Sequence, residues 1–435
     1  MAANPLYRND RPGEHAPSWY AASLPPEPER PALAGDASVD VAVIGAGFTG
    51  LWAALTLARA GRRVMVLEAH RVGFGASGRN GGQVGMGFNR SQRDLEARMG
   101  EGRARALWDL AEAARAQVRE FCLDEAPEAS YRPGAAFGEY KAREVDDLKA
   151  EAEFLHRRYG YEVEVLDRAG FAEVVRSPRY AGGLLDPGGG HVQPLAYARA
   201  LAREAEAAGA VIHEMTEVQA VADDSPMRLR TARGTVTADH VIVAGNGYLP
   251  DILPAVNARV MPINSFIAAT EPMPERWQEV LARDICVADS RFVVNYYRFS
   301  ADRRFLFGGR ESYGLGFPSD IATALVKRME TLFPQLAGVT VSHVWGGSLA
   351  VTMTRLPHIA RVAPNVLSGA GFSGHGVALS GMAGRVMAEA VMGQEEGLAT
   401  FEKLPVKPFP GGLRSRAPLL TLAMTWYALR DRLGL

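Results

Sequence analysis

The chain has 435 residues, 47% of them apolar, and 48 basic against 49 acidic side chains leave a formal net charge of -1. That balance gives no long-range field for capturing nucleic acid or an anionic membrane, so neither is expected as a partner. Cys122 and Cys286 lie far apart, with no Cys-x-x-Cys pair and no Cys/His cluster. A disulfide framework and a metal site are therefore not indicated, and a reducing cytoplasm fits.

A single hydrophobic core stops growing near 250–300 residues, so a chain of this length is expected to divide into two lobes. Residues 1–36, rich in Pro, Glu and Arg, read as an extended surface arm that lacks the basic-then-apolar order of an export signal. The apolar run Val39–Ile44 then breaks into Gly45-Ala46-Gly47-Phe48-Thr49-Gly50 and resumes with helical periodicity over Phe48–Ala60. This is how a chain holds a pyrophosphate: Gly45 permits the turn out of a strand, Gly47 removes a side chain that would block a phosphate, and Gly50 lets the helix lie close to the sheet. The helix N-terminus aims its unpaired N–H groups at the anion. A second strand, Arg63–Glu68, ends in Glu68-Ala69, where an acid is placed to accept from a ribose diol and to disfavour a 2′-phosphate. Strand, glycine turn, helix and closing acid together predict a nucleotide-binding βαβ unit.

Further along, Arg93–Phe121 carries a helical period broken near Gly100 and Gly102, which predicts two helices in series. Ala135–Tyr140 reads as a strand, Glu144–Arg158 as a charged helix, Leu184–Gly190 as a loop, and Pro194–Ala208 as a helix. Short strands at Val211–His213, Glu217–Ala222, Met227–Thr231 and Val236–Thr237 precede a buried strand, His240–Ala244, that ends in Gly245-Asn246-Gly247. From Val260 to Ala350 the pattern becomes long alternating strands (Val260–Thr270, Arg291–Phe299, Arg304–Phe307, Val341–Ala350) with helices near Pro274–Ala282 and Ser319–Leu332. The chain returns through Val366–Ser368, the loop Gly369–Gly376 and a small-residue helix, Val377–Met392. Ala417–Leu429 is apolar but too short to span a bilayer, and reads as a packing helix.

A second glycine-rich segment, Gly73–Gln83, follows Glu68 almost at once, and the Gly369–Gly376 loop supplies a third. Together they resemble the D-amino-acid-oxidase-type flavoproteins, from Val39 to about Val391. Within that family the chain is similar to bacterial gamma-glutamylputrescine oxidase-like proteins. The features that carry this are Pro17–Ala22, Met261–Phe266, Phe307–Arg310, Trp345-Gly346-Gly347 with Thr352 and Arg355-Leu356-Pro357, and Gly371–Val377. The resemblance implies an α/β (α+β overall) fold of the glutathione-reductase-like, D-amino-acid-oxidase type, in which a discontinuous Rossmann-type FAD-binding domain (37–92, 155–255, 355–395) adjoins an antiparallel-sheet substrate domain (93–154, 256–354). Residues 396–435 are expected to form a C-terminal tail and helix.

On the same resemblance FAD is the cofactor, contacted by Gly45, Gly47, Phe48, Thr49, Gly50, Glu68, Ala69, Ser77, Gly78, Arg79, Asn80, Gly81, Gly82 and Gln83. Val218 lies at the adenine, with Gly245, Asn246, Gly371, Phe372, Ser373, Gly374, His375, Gly376 and Val377 completing the site. The turn opening the last helix would face the isoalloxazine edge where negative charge gathers on reduction. No cysteine stands on Val344–Ala350, where some members tether their flavin, so non-covalent FAD is expected. No lysine that would activate oxygen is identifiable.

Flavin amine oxidation needs geometry more than acid–base machinery: the neutral amine gives hydride from its α-carbon, and the imine is hydrolysed by water. The residues expected at the reacting centre are His375, Tyr297, Arg310, Asn264 and Trp345, with Tyr296 also expected as a substrate contact. Tyr296 and Tyr297 point to opposite faces of one strand, so at most one faces the flavin. Arg310 suits a substrate carboxylate or an interlobe salt bridge, and Trp345 suits an amine-binding wall or core packing. Met86 and Phe88 read as core. The expected partners are a small amine and O2 or another electron acceptor. A dehydrogenase feeding a quinone or partner subunit, and a flavin-loaded protein without turnover, stay open as alternatives.

Overall fold

Val39–Ile44 is apolar at nearly every position because the strand it forms, Ala37–Ile44, lies inside a parallel sheet covered on both faces. The computed structural model describes residues 5–222, 226–249, 252–312 and 316–410, with the Arg310 side chain and the expected helix Ala417–Leu429 outside that description. The first sheet runs His358–Ala363, Val366–Ala370, Thr235–Val243, Ala37–Ile44, Val64–Leu67, Val211–His213. All neighbours are parallel except the first pair. Met227–Arg230 pairs with the start of Thr235–Val243 and with Ala220–Ala222. The expected strand Val236–Thr237 and buried strand His240–Ala244 are thus one continuous strand.

Gly45 leaves the strand at φ +101°, and a Cβ on Gly50 would sit 1.9 Å from the Gly45 carbonyl oxygen. Only glycines let helix Phe48–Arg59 start this close to the sheet. Helix Gly376–Val391 crosses it just as closely, since a Cβ on Gly384 would lie 2.0 Å from the Thr49 oxygen.

The second sheet runs Val341–Val351, Met261–Pro272, Arg304–Ser312, Tyr296–Phe299, Cys286–Asp289, Arg132–Glu139, Gly182–His191, Gln83–Val84, with Glu164–Asp167 also on Gly182–His191. It is antiparallel except between Cys286–Asp289 and Arg132–Glu139. One face packs on an aromatic core that includes Phe266, Tyr297, Phe299, Phe305, Phe307 and Phe333.

Several expectations change: the helix expected near Pro274–Ala282 is a single 3-10 turn, Trp277–Glu279, and the strand expected over Arg291–Phe299 begins only at Tyr296. Leu184–Gly190 is not a loop but the body of strand Gly182–His191, buried at most positions. Its glycines mark close neighbours rather than turns: a Cβ would come within 2.3 Å of Phe171 at Gly183, 2.6 Å of Ala135 at Gly189 and 2.6 Å of Tyr131 Oη at Gly190. The arm is not a surface strap either. Tyr20 is fully buried, Trp19 and Leu33 nearly so, and Asp10 pairs with Arg79 at 2.5 Å with both side chains buried. The break predicted near Gly100 does occur, between helices Gln92–Met99 and Glu101–Asp124, with Gly100 at φ +82°.

Candidate active site

The parallel strands Ala37–Ile44, Val64–Leu67 and Thr235–Val243 all deliver their carboxyl ends to one cavity of about 840 Å³. This is where an open α/β sheet binds its ligand. Its wall includes Gly45, Gly47, Phe48, Thr49, Glu68, Ala69, Ser77, Arg79, Asn80, Gly81 and Gln83. From later in the chain come Val218, Gly245, Asn246, Phe372, Ser373, Gly374, His375, Gly376 and Val377. Three glycine turns more than 300 residues apart at their extremes therefore share one space.

Gly50, Gly78, Gly82 and Gly371 do not line it. Each is instead a point of close backbone packing: a Cβ on Gly78 would lie 2.2 Å from the Gly73 oxygen, on Gly82 2.1 Å from the Val192 oxygen, and on Gly371 2.5 Å from Thr352 Cγ2. They shape the turns from behind.

The turns are tied to one another. Asn246 Oδ1 accepts from Gly371 N–H at 2.9 Å, joining the end of strand Thr235–Val243 to the third turn. Ser77 Oγ accepts from Phe48 N–H at 3.0 Å, joining the first turn to the second. Glu68 is held by two backbone donors, Ala46 N–H at 2.7 Å and His70 N–H at 2.9 Å, one on each carboxylate oxygen. Burial pushes its carboxyl up to about 7, against the pull of those two bonds.

Gly47 gives helix Phe48–Arg59 no capping side chain, and with Phe48 N–H taken by Ser77 Oγ the amides that follow it in the first turn are left for an anion. A Cβ on Gly47 would stand 2.9 Å from Ser77 Oγ and close the gap between the two turns. His375, at the N-terminus of helix Gly376–Val391, caps it with no side-chain bond, lines the cavity and has a buried Nδ1 without a partner among the described residues. Two helix N-termini, a braced carboxylate and a chamber within the ~300–1,000 Å³ typical of ligand sites fit a flavin dinucleotide.

A scan against family models matches residues 40–390 to the DAO family of FAD dependent oxidoreductases. The chain belongs to this family. It is 38% identical to the gamma-glutamylputrescine oxidoreductase of Escherichia coli (strain K12) over 427 residues, covering 97% of this chain and 99% of that one. It is 40% identical to a probable oxidoreductase OrdL of Rhizobium meliloti (strain 1021), covering 95% and 97%. Among solved structures, glycine oxidase from Geobacillus kaustophilus superposes with a TM-score of 0.71 at 24% identity, over 86% of this chain and 99% of that one, and supports the fold. The protein is thus an FAD-dependent oxidoreductase of the DAO type.

For this DAO-family protein the antiparallel sheet supplies the other wall, and here the expected reacting residues divide. His375 lies on the cavity; burial first, and then the Arg355 charge, hold its imidazole down to about 4, so it is neutral at physiological pH. Tyr297 turns into the aromatic core, where its hydroxyl pairs with Tyr180 Oη at 3.0 Å and its ring meets Phe333 edge-on. Tyr296, on the opposite face, lines the cavity. Its ring is pressed against Gly308 and Gly81, where a Cβ would fall 2.1 and 2.8 Å away, and its hydroxyl meets Ser265 Oγ at 3.0 Å.

Asn264 is likewise buried, accepting from Ser348 Oγ at 2.7 Å, and its neighbours Ile263 and Ser265 reach the cavity instead. Trp345 is buried beneath the second glycine segment and donates Nε1–H to the Arg79 oxygen at 3.0 Å. It braces that loop rather than walling the chamber. Arg310 pairs in register with Phe266 on strand Arg304–Ser312.

The sequence did not single out Tyr7, Arg291, Phe292 or Glu311, and gave Arg355 no role at the site; all five are on the wall. Phe88 is packed in the core as expected and also touches the wall, whereas Met86, expected in the core, is only half-buried on it. A signal existed only for Arg355, whose motif marked the resemblance. Among the described residues no group of three or more His, Cys, Asp or Glu is arranged for a metal ion, and no helix is long and apolar enough to cross a membrane.

Proposed function

We propose that this protein oxidises the C–N bond of an amine, either gamma-glutamylputrescine or a secondary or primary amine of similar build, and that O2 is the final acceptor, giving H2O2. The observation that carries this reading is the continuity of one cavity from the glycine turns to a wall of the antiparallel sheet bearing Tyr296, Phe292 and Arg291. The full-length similarity to a gamma-glutamylputrescine oxidoreductase supports the amine as substrate class.

FAD supplies the two-electron acceptor when bound. The protein's part is placement. The amides at the start of helix Phe48–Arg59 and the Glu68 carboxylate would hold the diphosphate and ribose, and the helix at Gly376 would face the end that gains negative charge. Tyr296 is fixed in position by Ser265 and by the two glycines its ring covers, so it offers an ordered edge for the substrate without a conformational search. Neutral His375 can orient a substrate or water proton without adding charge.

We also propose that the flavin is held without a covalent link. Cys286, the one thiol on the cavity wall among the described residues, donates to the Gly190 oxygen at 3.2 Å, and burial pushes it up to about 12. It stays a protonated, weakly nucleophilic thiol.

Anaerobic mixing with a panel of γ-glutamyl polyamines and simple secondary amines tests the function. Loss of the oxidised flavin absorbance with at least one of them is the expected result, followed by recovery on admitting air. A spectrum that no amine changes would overturn the proposal, and bleaching without recovery in air would assign a different acceptor.

A further inference from the structure

The cavity wall carries several carboxylates, and most already have partners. Glu68 is braced by Ala46 and His70, Asp186 by Arg115 and Tyr161, Asp289 by Tyr140 and Asn295, and Glu151 by the Gln92 amide. The guanidinium of Arg355 is different. It lines the same cavity, and no side chain among the described residues forms a hydrogen bond or ion pair with it. Its contacts are the Phe292 ring, whose centroid lies 5.5 Å from Cζ, and the electrostatic influence it exerts on His375.

The backbone that presents this cation is strained and held so. Arg355 has φ +64°, a region non-glycine residues occupy at a cost of roughly 1–3 kcal/mol. The turn is fastened on both sides: Arg90 Nε–H donates to the Thr354 oxygen at 3.0 Å, Arg355 N–H to the Thr352 oxygen at 3.2 Å, and Thr352 Oγ1 to the Leu356 oxygen at 2.7 Å. Thr352 N–H is in turn held by Ser373 Oγ, within the third glycine turn. An arginine kept in a costly conformation, on the chamber wall beside a neutral histidine and without a counter-ion among the described residues, is arranged for an anion that arrives with the ligand.

We infer that Arg355 is the specificity-determining residue of this site, pairing through its planar guanidinium with a carboxylate on the substrate while Phe292 supports its face. The substrate class is then an amine whose far arm ends in a carboxylate, and this rests on the amine-oxidising function proposed above. Planar two-pronged pairing favours a carboxylate. The stacked ring leaves the in-plane N–H groups free for it.

Binding of a carboxylate that cannot be oxidised separates this inference from the reaction itself. Flavin-loaded protein is titrated with glutarate and with dimethyl glutarate, following the perturbation of the flavin spectrum, in the wild type, R355Q and R355K. The expected result is that the diester binds at least tenfold more weakly than glutarate to the wild type. R355Q is expected to lose roughly 10- to 100-fold in glutarate affinity, as for a charge-assisted pair, and R355K to recover part of it. Equal binding of acid and diester by the wild type would overturn the assignment. So would an R355Q protein that binds glutarate as tightly as the wild type, or one that loses its flavin, which would place Arg355 with the cofactor. Failure of every amine to bleach the flavin would leave the glutarate result standing and count against the oxidation alone.

Discussion

Glu68 meets two N–H donors, one on each oxygen, and this makes it intolerant of even an isosteric change. In Glu68→Gln one acceptor becomes an NH2 facing a backbone donor, so FAD affinity is expected to fall about tenfold or more, read by fluorescence titration of apoprotein. The sign of its pH effect follows from its raised pKa. The folded protein holds the proton up to about 7, whereas an unfolded glutamate releases it near 4.5, so this contribution to stability is complete below 4.5 and is lost as the pH rises through 7. The unfolding midpoint of flavin-free wild type relative to E68Q should decline across that window. A difference independent of pH would contradict the burial of this carboxyl.

Residue-level legibility failed in a regular way. Asn264, Tyr297 and Trp345 were expected at the reacting centre, and each is buried away from the cavity, while Ser265 and Tyr296, one position along, reach it; of the tyrosine pair, both named as candidates, Tyr296 is the one that faces the chamber. A strand alternates faces with a period of two, so the type of residue was legible and the face was not. Both faces of this sheet are buried, one on an aromatic core and one on the chamber, and polarity cannot tell them apart. Paired variants test this reading. Y296F should lower kcat/KM by roughly tenfold with little change in unfolding midpoint, since it removes a fixed hydroxyl at the site. Y297F should lower the midpoint and leave kcat/KM within about twofold, because its bond to Tyr180 is buried in the core. The reverse pattern would put the other face at the reaction.

At the scale of elements, the helices and parallel strands could be read closely because their apolar periods are long and their ends carry glycine signals. Helix Phe48–Arg59 and the pair of helices flanking Gly100 are examples. Gly182–His191 could not be read, because Asp-Pro-Gly-Gly-Gly is turn chemistry in isolation and becomes strand only when Phe171, Ala135 and Tyr131 crowd over it. Gly183→Ala should therefore destabilise by about 1–3 kcal/mol through overpacking against Phe171 and the Phe137 oxygen. Thermal unfolding measures it, and a midpoint equal to that of wild type would argue that the strand is not packed this closely. The arm was illegible for a related reason: what buries Tyr20 and Asp10 is the far side of the second glycine segment, through Asn80 and Arg79.

For the whole molecule, the fold could be inferred because three glycine turns each announce a close backbone approach, and a dinucleotide is long enough to need all of them. Their meeting in one chamber required the close crossing of the two helices at Gly384 and Thr49, which no local pattern displays. Burial also leaves its mark on the acid side. His70, His191, His358 and His375 are each held down to about 4 and His15 to about 3, in every case first by burial. The unfolded chain takes up protons near 6.5 that the folded chain refuses, so their contribution to stability is full above 6.5 and is lost as the pH falls through 4. The unfolding midpoint should drop steadily over that interval, and a flat profile would contradict neutral buried imidazoles.

Precipitating the purified protein with acid, and measuring flavin in the supernatant and in the pellet, tests most directly the claim that these turns wrap one FAD without a bond to the chain. The expected result is one FAD per chain, all of it in the supernatant. Flavin retained in the pellet, or the absence of any flavin from protein supplied with FAD, would contradict it.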